Sequence, residues 1–145
     1  MVIRSEQMAA FANKAQGDFV IRLKQYLCKA HGSVNVQLPF GKHYCVRGTP
    51  DRIITEMVRR AIEKGRLYSI SLESSLAAFV TLMFVVAPNF DADPLVHRIL
   101  TDSKIPANDR VSRACEWISN RHWKRVRRNY DPAAWVAARR VMEAA

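Results

Sequence analysis

Ser71-Leu-Glu-Ser-Ser-Leu-Ala-Ala-Phe-Val-Thr-Leu-Met-Phe-Val-Val-Ala-Pro88 decides the fold. Between Leu76 and Ala87 only Thr81 is polar. An element that is apolar on every side belongs inside something. Ser71 is placed to cap a helix and Pro88 to end it. The run is too short for a bilayer, which needs about 20 apolar residues. The expectation is a buried helix over about residues 72–87, with Phe79, Leu82, Met83 and Val86 in the core.

The flanking segments read as amphipathic helices. Ser5 opens the first, along which Met8, Phe11, Ala12, Ala15, Phe19, Leu23, Tyr26, Leu27 and Ala30 recur at three- and four-residue steps. Asp18 and Arg22 have the spacing of an i,i+4 ion pair, and Gly32 ends the helix. Residues 33–48 read as a loop with a short extended piece at Val34–Leu38. Thr49-Pro50-Asp51 is a helix start, with Thr49 as cap, proline in the first turn and an acid near the positive end of the dipole. Ile54, Met57, Val58, Ala61 and Ile62 form the apolar face that follows, and Gly65 weakens its end. Asp93-Pro94 caps a short helix to about Thr101. Ile105-Pro106 opens one running to about Arg128, with Val111, Ala114, Cys115 and Ile118 inward. Asp131-Pro132 opens a last helix to about Glu143. The fold expected is all-α: a single domain of about six helices spanning residues 1–145.

The 145 residues carry a formal charge of +10. Residues 107–145 hold nine bases and four acids, whereas residues 67–106 hold two bases and four acids. Such a chain suits nucleic acid, an anionic membrane surface or an acidic protein partner. Three widely spaced cysteines are no disulfide framework, and the first residues lack an apolar signal region. A cytoplasmic location is expected.

Cys28-x-x-His31 and His43-x-Cys45 have residue types that bind zinc, though the one-residue gap in the second pair is less usual. The preferred reading is two loop histidines, a helix cysteine and a buried loop cysteine, with no cofactor. Asp91 and Asp93 could approach a divalent ion, but two acids beside a proline are more often caps. No phosphate loop, nucleophile elbow or His-Glu-x-x-His is present, and the chain is expected not to be an enzyme.

Arg121-His122-Trp123-Lys124-Arg125-Val126-Arg127-Arg128-Asn129-Tyr130 sets five bases among aromatic residues. It reads as a solvated helix end, a protein interface, or a surface that grips phosphates and stacks bases. Trp117 and Trp135 read as core. As a partner site, the candidates are Arg121, Lys124, Arg125 and Arg128 as a basic edge, with Trp123 as anchor. A nucleic-acid-binding role for the same segment is the alternative.

Val58-Arg59-Arg60-Ala61-Ile62-Glu63-Lys64-Gly65, Tyr68-Ser69-Ile70, Leu76-Ala77-Ala78-Phe79-Val80-Thr81-Leu82-Met83-Phe84 and Pro88-Asn89-Phe90-Asp91-Ala92-Asp93-Pro94 together resemble a family of small helical bacterial proteins. Ile3-Arg4-Ser5-Glu6-Gln7-Met8 and Ile99 to Pro106 are similar to it too. Its members are encoded beside the spike, PAAR-repeat and effector genes of type VI secretion loci. The resemblance spans roughly residues 1–115, and its most specific part is the Phe-Asp-x-Asp-Pro turn. Residues 31–50 and the basic, tryptophan-containing end depart from it. It implies an accessory role, as effector adaptor, chaperone or immunity protein, and transfers no functional residue. Immunity to a nuclease usually means an acidic protein covering a basic groove. At +10 this chain has the opposite sign, so an acidic contact surface is expected on the partner.

Overall fold

A computed structural model of the protein describes residues 5–136, with side chains from residue 14 onward. The chain is all-α with a small β-ribbon. Its helices are α1 (Ser5–His31), α2 (Asp51–Leu67), α3 (Glu73–Val85), α4 (Pro94–Leu100), α5 (Arg110–Trp117) and α6 (Asn120–Arg128). Strands β1 (Asn35–Gln37) and β2 (His43–Cys45) form an antiparallel hairpin between α1 and α2, pairing Val36 with Tyr44. Among the described residues, no helix is long and apolar enough to cross a membrane.

The apolar run is the core helix. Leu76, Phe79, Val80, Met83 and Phe84 of α3 are buried, as is Val86 just beyond it, while Leu82 is only partly buried. Thr81, the one polar residue of the run, donates to the Ala77 carbonyl one turn back at 2.7 Å, so its hydroxyl needs no outside partner. α3 packs on α2, α1 and α5. α2 ends at Leu67, two residues past Gly65, and Gly65 also lets it approach α3. A Cβ there would stand 2.9 Å from Leu76 Cδ2 and 3.2 Å from Phe79 Cδ1.

Several local expectations give way to longer-range bonds. Ser71 does not cap α3; the cap position is Leu72, without a side-chain bond. The Asn108 side-chain carbonyl instead accepts from the Ser71 and Leu72 amides at 2.9 and 3.0 Å. Thr49 does not cap α2; its hydroxyl donates to the Cys45 carbonyl at 2.9 Å. Arg22 pairs with Glu73 across the α1–α3 junction at 3.0 Å rather than with Asp18. On α1, Phe19, Val20, Leu23 and Leu27 are buried, whereas Ala15, Tyr26 and Ala30 are exposed; Met8, Phe11 and Ala12 lie outside the described side chains.

The long helix expected from Pro106 to Arg128 is two. After a 3-10 turn at Ala107–Asp109, α5 ends at Trp117, and Ile118 is extended (φ −88°, ψ 128°). The Ser119 hydroxyl accepts the His122 amide at 3.2 Å and restarts the chain as α6. Val111, Ala114 and Ile118 are buried, but Cys115 is exposed. A further helical turn begins at Ala134, and the remainder of the expected last helix lies outside the described residues.

Candidate functional site

The break at Ile118 gives α6 its own rotational phase. At about 100° per residue, Arg121, Lys124, Arg125 and Arg128 fall within roughly 100° of the circumference. All four are exposed, and none has a carboxylate partner within ion-pair distance among the described residues. His122, Trp123, Val126 and Arg127 occupy the opposite face.

That inner face is fixed by several contacts. Val126 is buried, and the Trp123 ring packs against the core with its centroid 6.5 Å from that of Phe90. His122 Nε2 lies 2.8 Å from Asp93 Oδ2. The same carboxylate oxygen accepts the Leu95 and Val96 amides at 3.1 and 3.2 Å and caps α4. Arg127 Nη1 donates to the carbonyls of Val85 and Val86 at 2.6 and 3.0 Å. Tyr130 closes the segment: its hydroxyl donates to the Gln37 carbonyl and accepts from the Gln37 amide and Trp135 Nε1, each at 2.9 Å. Its one proton and two lone pairs are all used. Burial pushes the Tyr130 phenol up, against those donors and Arg127, which pull it down.

Beneath α4 lies a second polar group. Lys64, buried on α2, brings Nζ to 2.6 Å from Asp91 Oδ1, an ionic approach off the angle of a good hydrogen bond. It donates to the Pro88 carbonyl at 2.7 Å. The Tyr68 hydroxyl donates to Asp91 Oδ2 at 2.7 Å, and His97 Nδ1 lies 3.4 Å from it. Burial foremost, then the Asp91 charge, holds the phenol protonated well above its ordinary range. Asp93 is the expected cap, but Asp91 is not a cap: it is half of a buried ion pair. The Phe-Asp-x-Asp-Pro turn thus clasps α2, α4 and α6 together. With both carboxylates engaged by protein groups, its chemistry is that of a structural joint.

The residues proposed for zinc are spread along α1 and the hairpin. Cys28 is half-buried, and its carbonyl accepts from Arg47 at 3.4 Å. His31 ends α1, with its ring edge-on to Tyr26 at 5.7 Å. His43 opens β2 and Cys45 closes it. Cys45 is exposed rather than buried, and its sulfur accepts the Gly48 amide at 3.2 Å. Among the described residues, no three His, Cys, Asp or Glu side chains are grouped to hold a metal ion.

Trp135 is core, at 5.0 Å from Phe84 between ring centroids, but Trp117 is not. It is 59% exposed, with the Arg113 guanidinium 5.9 Å from its ring centroid. Its phase carried the signal: with Val111, Ala114 and Ile118 inward, position 117 falls well off the buried arc. No family model, curated protein or solved structure matches the chain.

Proposed function

We propose that the protein is a non-enzymatic protein-binding module that uses α6 to engage an acidic surface on its partner. The observation that carries this reading is the stripe of Arg121, Lys124, Arg125 and Arg128, exposed together without a carboxylate to neutralise it among the described residues. Like-charged side chains on one face repel one another and favour an anionic surface laid across them. Trp123, Tyr130 and Trp135 are turned to packing, so the aromatic side chains within and just after α6 serve the fold rather than base stacking, and of the tryptophans only Trp117, on α5, is exposed. This favours a protein over single-stranded nucleic acid as partner. Trp123, expected as the anchor, is turned to the inner face against Phe90 and lies on the far side of α6 from the stripe, so the contact proposed here rests on the four bases. The resemblance of residues 1–115 supports placing the module beside a type VI secretion effector, as adaptor, chaperone or immunity protein.

The test compares the parent with Arg121→Glu/Arg125→Glu in capture from bacterial lysate, followed by binding of the purified captured protein. The reading expects one stoichiometric protein, with association that weakens as salt rises. In the variant association is slower and its salt dependence flatter, with an unchanged circular dichroism spectrum. Unchanged binding at low salt would reduce the stripe to a solvated face. Salt-dependent retardation of duplex or single-stranded nucleic acid by the parent, lost in the variant, would transfer the stripe to the nucleic-acid reading.

A further inference from the structure

The hairpin ends in a turn with an uncommon side chain. Phe40, in the 3-10 turn Pro39–Gly41, has φ 68° and ψ 28° and is 100% exposed. A bulky residue in the left-handed region is strained, and its observation points outward from the fold. Glycine suits that backbone without strain, and Gly41 follows in the same region with φ 75°. The phenyl ring, wholly in solvent, adds nothing to the core.

The tip is nonetheless firmly held. The Leu38 amide donates to the Lys42 carbonyl at 2.7 Å. Val36 is fully buried, and Gln37 is clamped through both backbone groups by Tyr130. Beside the ring lies a cleft of about 370 Å³, lined by Leu38, Pro39, Phe40, Lys42, His43 and Pro132 among others, with no carboxylate in its lining.

We propose that this tip docks an acidic peptide segment of a protein partner. An apolar side chain of that segment enters the cleft along the Phe40 ring, and its carboxylates meet Lys42. The inference rests on the protein-binding reading above and assigns it a second contact. A projecting ring with a concavity beside it matches interdigitating side chains. A second copy meeting this tip about a two-fold axis would set Lys42 against Lys42 between two molecules of charge +10. An acidic segment meets the opposite sign. An exposed aromatic carried on a held backbone is the kind of group that contributes strongly to binding at interfaces.

The experiment is selection of a random peptide library on the full chain, with binders re-measured on Phe40→Gly, Phe40→Trp and Arg121→Glu/Arg125→Glu. The expected binders are acidic around an apolar residue. They lose about thirtyfold in affinity on Phe40→Gly, the size of a hot-spot loss, and keep most of it on Phe40→Trp. Phe40→Gly should melt no lower than the parent; a clearly lower melting temperature would make the ring structural and overturn the proposal. Binders indifferent to Phe40→Gly but lost on the double reversal would overturn the tip and leave the stripe standing. Binders indifferent to both, or none at all, would overturn the tip and leave the stripe to the measurement on the captured protein. Phe40-dependent retention on anionic vesicles, or Phe40-dependent dimerisation in sedimentation, would replace the peptide with a lipid surface or a second copy.

Discussion

Arg127 Nη1 lies 2.6 Å from the Val85 carbonyl oxygen, so a base of the cationic helix closes the C-terminus of the core helix. The last carbonyls of a helix lack internal partners and carry the negative end of its dipole. A guanidinium there satisfies both demands, and it reaches the Val86 carbonyl as well. The basic segment therefore divides by function. Arg127→Ala should cost about 1.5–3 kcal/mol, the range for hydrogen bonds involving a charged group. Arg121→Ala, Lys124→Ala, Arg125→Ala and Arg128→Ala should each stay within about 0.5 kcal/mol. Urea titrations of the five variants check this. Five equal values would mean that Arg127 is as loosely held as the outer four.

Lys64 and Asp91 should behave as a buried pair does. Removing one charge strands the other in an apolar setting, and either Lys64→Met or Asp91→Leu is expected to cost about 3–5 kcal/mol. The double variant should recover most of that, because the second change removes the stranded charge. Recovery to near the parent in a thermodynamic cycle is the signature. If the double variant loses the sum of the two single losses, the residues act independently and the clasp is not an ion pair in energetic terms.

The Tyr68 phenol gives the clasp an alkaline limit. Burial and Asp91 raise its folded-state pKa above the ordinary 10.0. The neutral phenol therefore contributes stability that is fully present below about pH 10 and fades as pH rises further. Tyr130 is shifted the same way by burial. The difference between the parent and Tyr68→Phe isolates the clasp. Tyr68→Phe should lose about 1 kcal/mol at neutral pH with its hydrogen bond, and its stability should fall less steeply than the parent's above pH 10. Parallel curves from pH 8 to 11 would show that the phenol ionises as freely folded as unfolded.

How far the chain could be read depended on where each residue's partner sits. The core helix needs no partner beyond a generally apolar surround, so Leu76 to Ala87 announced it. Asp93 caps the two amides that follow it, a bond confined to adjacent residues and therefore legible. Thr49 and Ser71 have the composition of caps, but their side chains or amides were claimed elsewhere, Ser71 by Asn108 at a separation of 37 residues. The division of α5 from α6 was hidden because Ile118 suits a helix as well as a corner, and only Ser119 hinted at a new start. The hairpin has three residues per strand with Val36 its one fully buried residue, too short for alternation to show. Of the candidate site, the exposure of Arg121, Lys124, Arg125 and Arg128 was readable from helical phase. The inward turn of Trp123 and the separate role of Arg127 depended on the central helix ending beside them.

Two glycines in helices make the last test, because propensity predicts the same sign for both and packing does not. Gly17 lies in α1 with nothing within 4 Å of the position a Cβ would take. Gly17→Ala should therefore gain up to about 1 kcal/mol by favouring the helix. Gly65 has the same propensity to gain, but its added methyl would meet Leu76 and Phe79 at 2.9 and 3.2 Å. Those side chains are 1% and 0% exposed, closed in on other sides and unable to turn away freely. Overpacking a filled core costs about 1–3 kcal/mol, so Gly65→Ala should end with a net loss of about 1 kcal/mol. Thermal unfolding of both variants beside the parent decides it. Opposite shifts in melting temperature mean that Gly65 sets the approach of α2 to α3. A gain at both positions would mean that the two helices can part slightly without penalty.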